Sequence, residues 1–77
     1  MNYNFELEKE KFHKAIDEYL SDDEELMICN DYFYIFMIRK NENRYMLCSY
    51  SSVSGVHPFR MFGCKIKALN AFNALCE

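Results

Sequence analysis

Four cysteines, at positions 29, 48, 64 and 76, and two histidines, at 13 and 57, are the residues of this sequence best suited to nucleophilic or metal chemistry. Zinc sites usually draw on ligand pairs close in sequence, because a short loop is cheap to close. Here the gaps are long and irregular, no Cys-x-x-Cys occurs, and the two histidines are far apart. The spacing predicts no metal site, and the cysteines read as small hydrophobes of a reducing compartment. Cys64 directly precedes a helix-like run, where a thiolate would be stabilised. A nucleophile also needs a base within reach and an oxyanion pocket. His57 is the nearest candidate base, but 77 residues leave little volume for a pocket. His13 stands four residues before Asp17, a spacing that reads as a surface contact on a helix rather than half of a triad. No catalytic residue, no cofactor and no metal are expected.

The other chemical feature is the run Ser21-Asp22-Asp23-Glu24-Glu25. Acids at a helix C-terminus oppose the helix dipole by about 0.3–1 kcal/mol each, so a preceding helix should not continue through them. Ser21 and Glu24 fit a capping box, which predicts a break at Ser21 followed by a short helical turn. Residues 1–25 carry nine acids and three lysines, a net −6, and residues 26–77 carry three acids and six bases, a net +3. This makes a charge dipole unless the fold mixes the two portions. The run is therefore either a solvated turn or, with Asp17 and Glu18 one turn back, an acidic patch. Such a patch could occupy a basic groove shaped for nucleic acid and speed association electrostatically.

The elements that must position these residues are legible from periodicity. Residues 5–20 place Phe5, Phe12, Ile16, Tyr19 and Leu20 near one helical face, with Asn4 as the expected N-cap. Residues 26–30 suit a short strand. Residues 32–40 and 44–52 are rich in aromatic and β-branched side chains and flank the polar tip Asn41-Glu42-Asn43, which predicts a β-hairpin. Residues 57–62 could add a last edge strand, with Pro58 near its start. Residues 64–76 predict a second amphipathic helix, with Ile66, Ala68, Leu69, Phe72 and Leu75 on its stripe. The expected fold is α+β: a small antiparallel sheet of about three strands, built on the central hairpin, with an N-terminal and a C-terminal helix packed on one face.

With a two- or four-residue tip, Phe33, Ile35 and Met37 share a face with Tyr50, Cys48 and Met46. The other face then carries Tyr32, Tyr34, Phe36 and Ile38. If both helices cover the first face, the second stays partly open as an aromatic surface for a partner. A three-residue tip would exchange the two faces. Arg39, Lys40 and Arg44 at the tip, with Arg60, Lys65 and Lys67 near the second helix, permit a nucleic-acid reading in which bases stack on tyrosines. The net charge of −3 argues against a dedicated nucleic-acid binder.

A chain of 77 residues bounds the answer to one domain, 1–77. No stretch approaches the roughly 18 apolar residues of a membrane span, and no signal peptide is readable, so a cytoplasmic setting is expected. The segments NYNF, NDYFY and NENRY, the acidic DDEE and the closing KIKALNAFNALC give the chain the style of a small phage-encoded anti-defence protein. It resembles the anti-CRISPR class in this respect. That resemblance implies a non-enzymatic, stoichiometric inhibitor docking on a host protein or ribonucleoprotein complex that handles nucleic acid. Asp17, Glu18, Asp22, Asp23, Glu24 and Glu25 are the expected electrostatic contacts, and Tyr32, Tyr34 and Phe36 the apolar anchors if their face is open. The competing classes are a small RNA- or DNA-binding protein using the six bases, and a homodimer joined through the aromatic face.

Overall fold

The computed structural model describes residues 5–77. In chain order the elements are α1 (Phe5–Tyr19), β1 (Glu25–Asn30), β2 (Ile35–Asn41), β3 (Arg44–Ser51), β4 (Gly55–Phe62) and α2 (Lys65–Leu75). Asn4, the expected cap of α1, lies outside the described residues. The α+β class and the two flanking helices are as expected. The sheet is an antiparallel meander of four strands in the order β1-β2-β3-β4, rather than about three. The fourth is complete because Gly55–Phe62 pairs with β3 from end to end, interrupted only by a register shift that leaves Phe59 without a partner. Its Pro58 sits on an edge strand, where a missing N–H can be turned to the solvent side.

The two helices do not share a face; they cover opposite faces of the sheet. Ile35, Met37, Tyr45 and Leu47 pack with Ala68 and Phe72 of α2. Phe36, Ile38 and Cys48 pack with Phe12 and Ile16 of α1. Successive residues of a strand point to opposite faces, so the consecutive burial of Ile35, Phe36, Met37 and Ile38 means that β2 is covered on both sides. A continuous apolar run is the pattern of a strand buried in that way.

The register explains the correction. Asn41 faces Arg44 across a two-residue tip, but Arg39 faces Tyr45, so Lys40 is an extra residue in β2. Beyond this bulge every pair is displaced by one, to Ile38–Met46, Met37–Leu47 and Phe36–Cys48. A bulge with a two-residue tip therefore has the effect expected of a three-residue tip, and it exchanges the partners across the hairpin. The aromatic face expected to stay open lies under α1.

The first residues of the aromatic run are not strand. Asn30 terminates β1 by chemistry of its own. Its side-chain oxygen accepts the N–H groups of Tyr32 and Phe33, both at 2.9 Å, and its carbonyl accepts that of Tyr34 at 2.9 Å. Such an Asx turn offers the backbone an alternative to the sheet ladder. It closes with Tyr34 at φ 56°, in the left-handed region. Tyr34 then folds its ring onto Phe12 and Tyr50, with centroids 5.3 and 6.3 Å away. The expected apolar stripe of α2 is also narrower than its periodicity suggests. Ala68 and Phe72 are buried, whereas Ile66 and Leu75 are exposed.

Two rings from the same run should respond differently to truncation. Phe36→Ala removes a fully buried ring and should cost about 3–5 kcal/mol. That is about the whole stability of a domain this small, so urea unfolding of the variant should lose its folded baseline. Tyr32→Ala, at 76% exposure, should change the unfolding free energy by less than about 0.5 kcal/mol. Equal effects of the two substitutions would contradict the burial of Phe36 beneath α1.

Candidate functional site: a divided acidic surface and a His-Cys-Asp cluster

The acidic run is split by the fold. Helix α1 ends with the Leu20 N–H on the Ile16 carbonyl, and the chain then makes one turn, with the Glu24 N–H on the Ser21 carbonyl at 3.0 Å. The Ser21 N–H donates to Glu24 Oε1 at 2.8 Å. Half of the capping box thus forms, but it closes a single turn instead of starting a helix, and β1 begins at Glu25. The Glu24 carboxylate is folded inward, with its side chain 9% exposed, and meets Lys40 Nζ at 2.7 Å. The hydrogen bond from Lys40, followed by the Ser21 N–H, holds the Glu24 carboxyl below the usual carboxylate range. The same contact raises Lys40. Next to it, Glu25 lies opposite Arg39 in the β1–β2 ladder, with 3.8 Å between Oε2 and Nη1.

Two expectations change as a result. Glu24 and Lys40 are committed to each other within the protein, and the exposed Glu25 pairs loosely with Arg39, so two of the bases proposed for nucleic acid have acidic neighbours. The fold therefore mixes the acidic and basic portions at this point. Asp17 and Glu18, in the last turn of α1, and Asp22 and Asp23, in the turn that follows, are exposed. None of these four makes an ion pair among the described residues.

The aromatic residues do not complete this surface. The turn 31–34 lies at the far end of β1, and a six-residue strand spans roughly 20 Å. Phe36 is fully buried and Tyr34 half-buried against Phe12, so neither can anchor a partner as expected. Tyr32 alone of the three points outward, with the exposed Phe33 ring 5.3 Å away.

The remaining bases are dispersed. Arg60 stacks over Phe62 at 4.8 Å, and Arg44 reaches Met61 Sδ at 3.4 Å. Lys65 stands at the mouth of an open groove of about 420 Å³ beside Arg39 and Glu25. In that groove Arg39 Nε is buried without an acceptor among the described residues.

One constellation escaped the spacing argument. His13 does not turn to Asp17. Its Nε2 lies 2.5 Å from Oδ1 of Asp31, whose other oxygen is 4.0 Å from Lys9 Nζ. Cys29 donates its S–H toward the same Oδ1 at 3.9 Å. Lys9 and His13 share a side of α1 by their four-residue spacing, and Cys29 and Asp31 are two residues apart at the end of β1. Each pair is readable in the sequence. Their meeting depends on α1 lying over the sheet face that carries Phe36 and Cys29, which β1 joins through its own register shift between Leu26 and Ile28. Burial, followed by the Asp31 charge, pushes the Cys29 thiol up. This is the reverse of what a nucleophilic cysteine needs.

The other thiols are sorted by position. Cys64 is exposed at the N-cap of α2, where the N–H groups of Lys67 and Ile66 pull its thiol below the ordinary range. Cys48 is buried between strand and helix, and burial pushes it up to about 12. Among the described residues no helix is long and apolar enough to cross a membrane.

Two outcomes follow from these environments. In the native state Cys64 should react first with a disulfide reagent such as Ellman's, and Cys48 should react only with the rate of global unfolding. Mass mapping of the labelled peptides checks this order. For Glu24, a folded value below the ordinary one near 4.5 adds stability that is complete above that pH and lost as pH falls through the lower folded value. Glu24→Gln should therefore cost about 1 kcal/mol at neutral pH and flatten the acid limb of a stability–pH profile measured by urea unfolding.

No family model, curated protein or solved structure matches this chain.

Proposed function

We propose that this protein is a non-enzymatic binding module, a stoichiometric inhibitor that docks on a nucleic-acid-handling complex of a host defence system in the cytoplasm. The observation that supports this reading is the exposed, unpaired set Asp17, Glu18, Asp22 and Asp23. Four carboxylates within seven residues, with no lysine or arginine among them, present a concentrated negative field to a basic groove. Glu24 and Glu25 serve the surface indirectly. By holding Lys40 and Arg39, they keep the hairpin bases from neutralising the four free acids. Tyr32 and Phe33 offer a separate apolar contact at the other end of β1, suited to a partner that spans both ends.

The nucleic-acid alternative loses ground because Arg39 and Lys40 are engaged within the chain and Arg60 is stacked on Phe62. The homodimer through the aromatic face loses support, since Phe36 of that face is fully buried.

The decisive comparison is affinity capture from host-cell lysate, before and after nuclease treatment, using the wild type and the charge-reversed variant Asp17→Lys, Glu18→Lys, Asp22→Lys, Asp23→Lys. A specific protein partner should survive nuclease, weaken with salt as surface electrostatics require, and be lost by the variant. Capture that vanishes with nuclease, or that the variant retains in full, would sink the reading.

A further inference from the structure

The geometry points to a transition-metal site at His13, Cys29 and Asp31, of the chemistry that takes Zn²⁺. Three different elements supply it: His13 comes from the middle of α1, Cys29 from the end of β1, and Asp31 from the turn after it. Their ligand atoms all lie within 4.8 Å of one another. A tetrahedral zinc ion with bonds of about 2.0–2.3 Å holds neighbouring ligand atoms roughly 3.3–3.7 Å apart. The Cys29–Asp31 separation of 3.9 Å is already close to that. His13 and Asp31, now hydrogen-bonded at 2.5 Å, need to part by about 1 Å, within reach of small side-chain rotations.

The ligand types define the ion. An imidazole, a thiolate and a carboxylate together suit a borderline ion such as Zn²⁺, whereas Ca²⁺ and Mg²⁺ require all-oxygen sets. Lys9 lies against Asp31 Oδ2, so Oδ1 is the oxygen left to coordinate, in a monodentate mode. All three residues are half-buried. Metal can therefore enter, and the fourth position is left to water or to a side chain of a partner. Bound there, the ion would tie the middle of α1 to the β1–β2 turn, a cross-link of the kind that small domains use to supplement a limited core. This inference is independent of the acidic surface, which lies at the other end of β1.

The test uses the full chain, reduced and freed of metal by a chelator, titrated with Zn²⁺ and with Co²⁺ as a spectroscopic substitute. One ion per chain should bind. Cobalt should show a thiolate-to-metal charge-transfer band that disappears in Cys29→Ser and persists in Cys64→Ser. Zinc should raise the unfolding temperature of the wild type and leave that of Cys29→Ser unchanged. His13→Gln keeps a hydrogen-bond donor for Asp31 but removes the ligand, so its far-ultraviolet circular dichroism should match the wild type while zinc affinity falls about tenfold or more. A charge-transfer band that survives Cys29→Ser, an undiminished zinc affinity in a folded His13→Gln, or no stoichiometric binding at all would overturn the site. The cluster would then be a hydrogen-bonded tether of α1 alone.

Discussion

The central hairpin of this protein turns on one extra residue in β2, one of three places where the register of the sheet shifts. Lys40 is inserted between Arg39 and Asn41 without a partner in β3, and from that point the hairpin is displaced by one position. Side chains alternate between faces, so a displacement of one exchanges which β3 residues accompany each face of β2. Cys48 joins Phe36 and Ile38 beneath α1, and Leu47 and Tyr45 join Ile35 and Met37 beneath α2. Each helix is thereby given its own half of the core. In a domain of this size, neither half is large enough to stand without the other.

The same bulge organises charge. A bulge re-aims the side chain it carries, and Lys40 is the base that meets the inward-folded Glu24. One residue thus sets the register of the central hairpin and ties down the turn between α1 and β1. The contact also divides the acidic run into a structural part, Glu24 and Glu25, and an available part, Asp22 and Asp23 with Asp17 and Glu18. The available part owes its unneutralised field to the structural part. Its position in and just after the last turn of α1 is electrostatically unfavourable for the helix by about 0.3–1 kcal/mol per nearby acid.

At the opposite end of β1 the decisive local device is Asn30. Its side chain and carbonyl gather three successive N–H groups and turn the chain away from the sheet before the aromatic run has ended. The turn exposes Tyr32 and Phe33, returns Tyr34 to the core, and places Asp31 beside His13. Turn chemistry at one asparagine therefore supplies both the protruding rings and the third member of the His-Cys-Asp cluster.

Much of this was determined by the sequence itself. The apolar period of residues 5–20 specifies α1, the dipole and capping arguments specify its stop before Ser21, and the polar tip at 41–43 specifies the hairpin. These features rest on interactions between residues a few positions apart, which local propensity and patterning report directly. The free acids Asp17, Glu18, Asp22 and Asp23 were legible for the same reason, because exposure is the default for a charge run. What only the tertiary structure decided is which side of each strand meets which helix. The bulge at Lys40, the opposite placement of α1 and α2, the pairing of Glu24 and Glu25 with Lys40 and Arg39, and the approach of His13 to Cys29 and Asp31 all follow from long-range register. Register has a period of two, so a single inserted residue reverses it without changing the composition or periodicity of any segment.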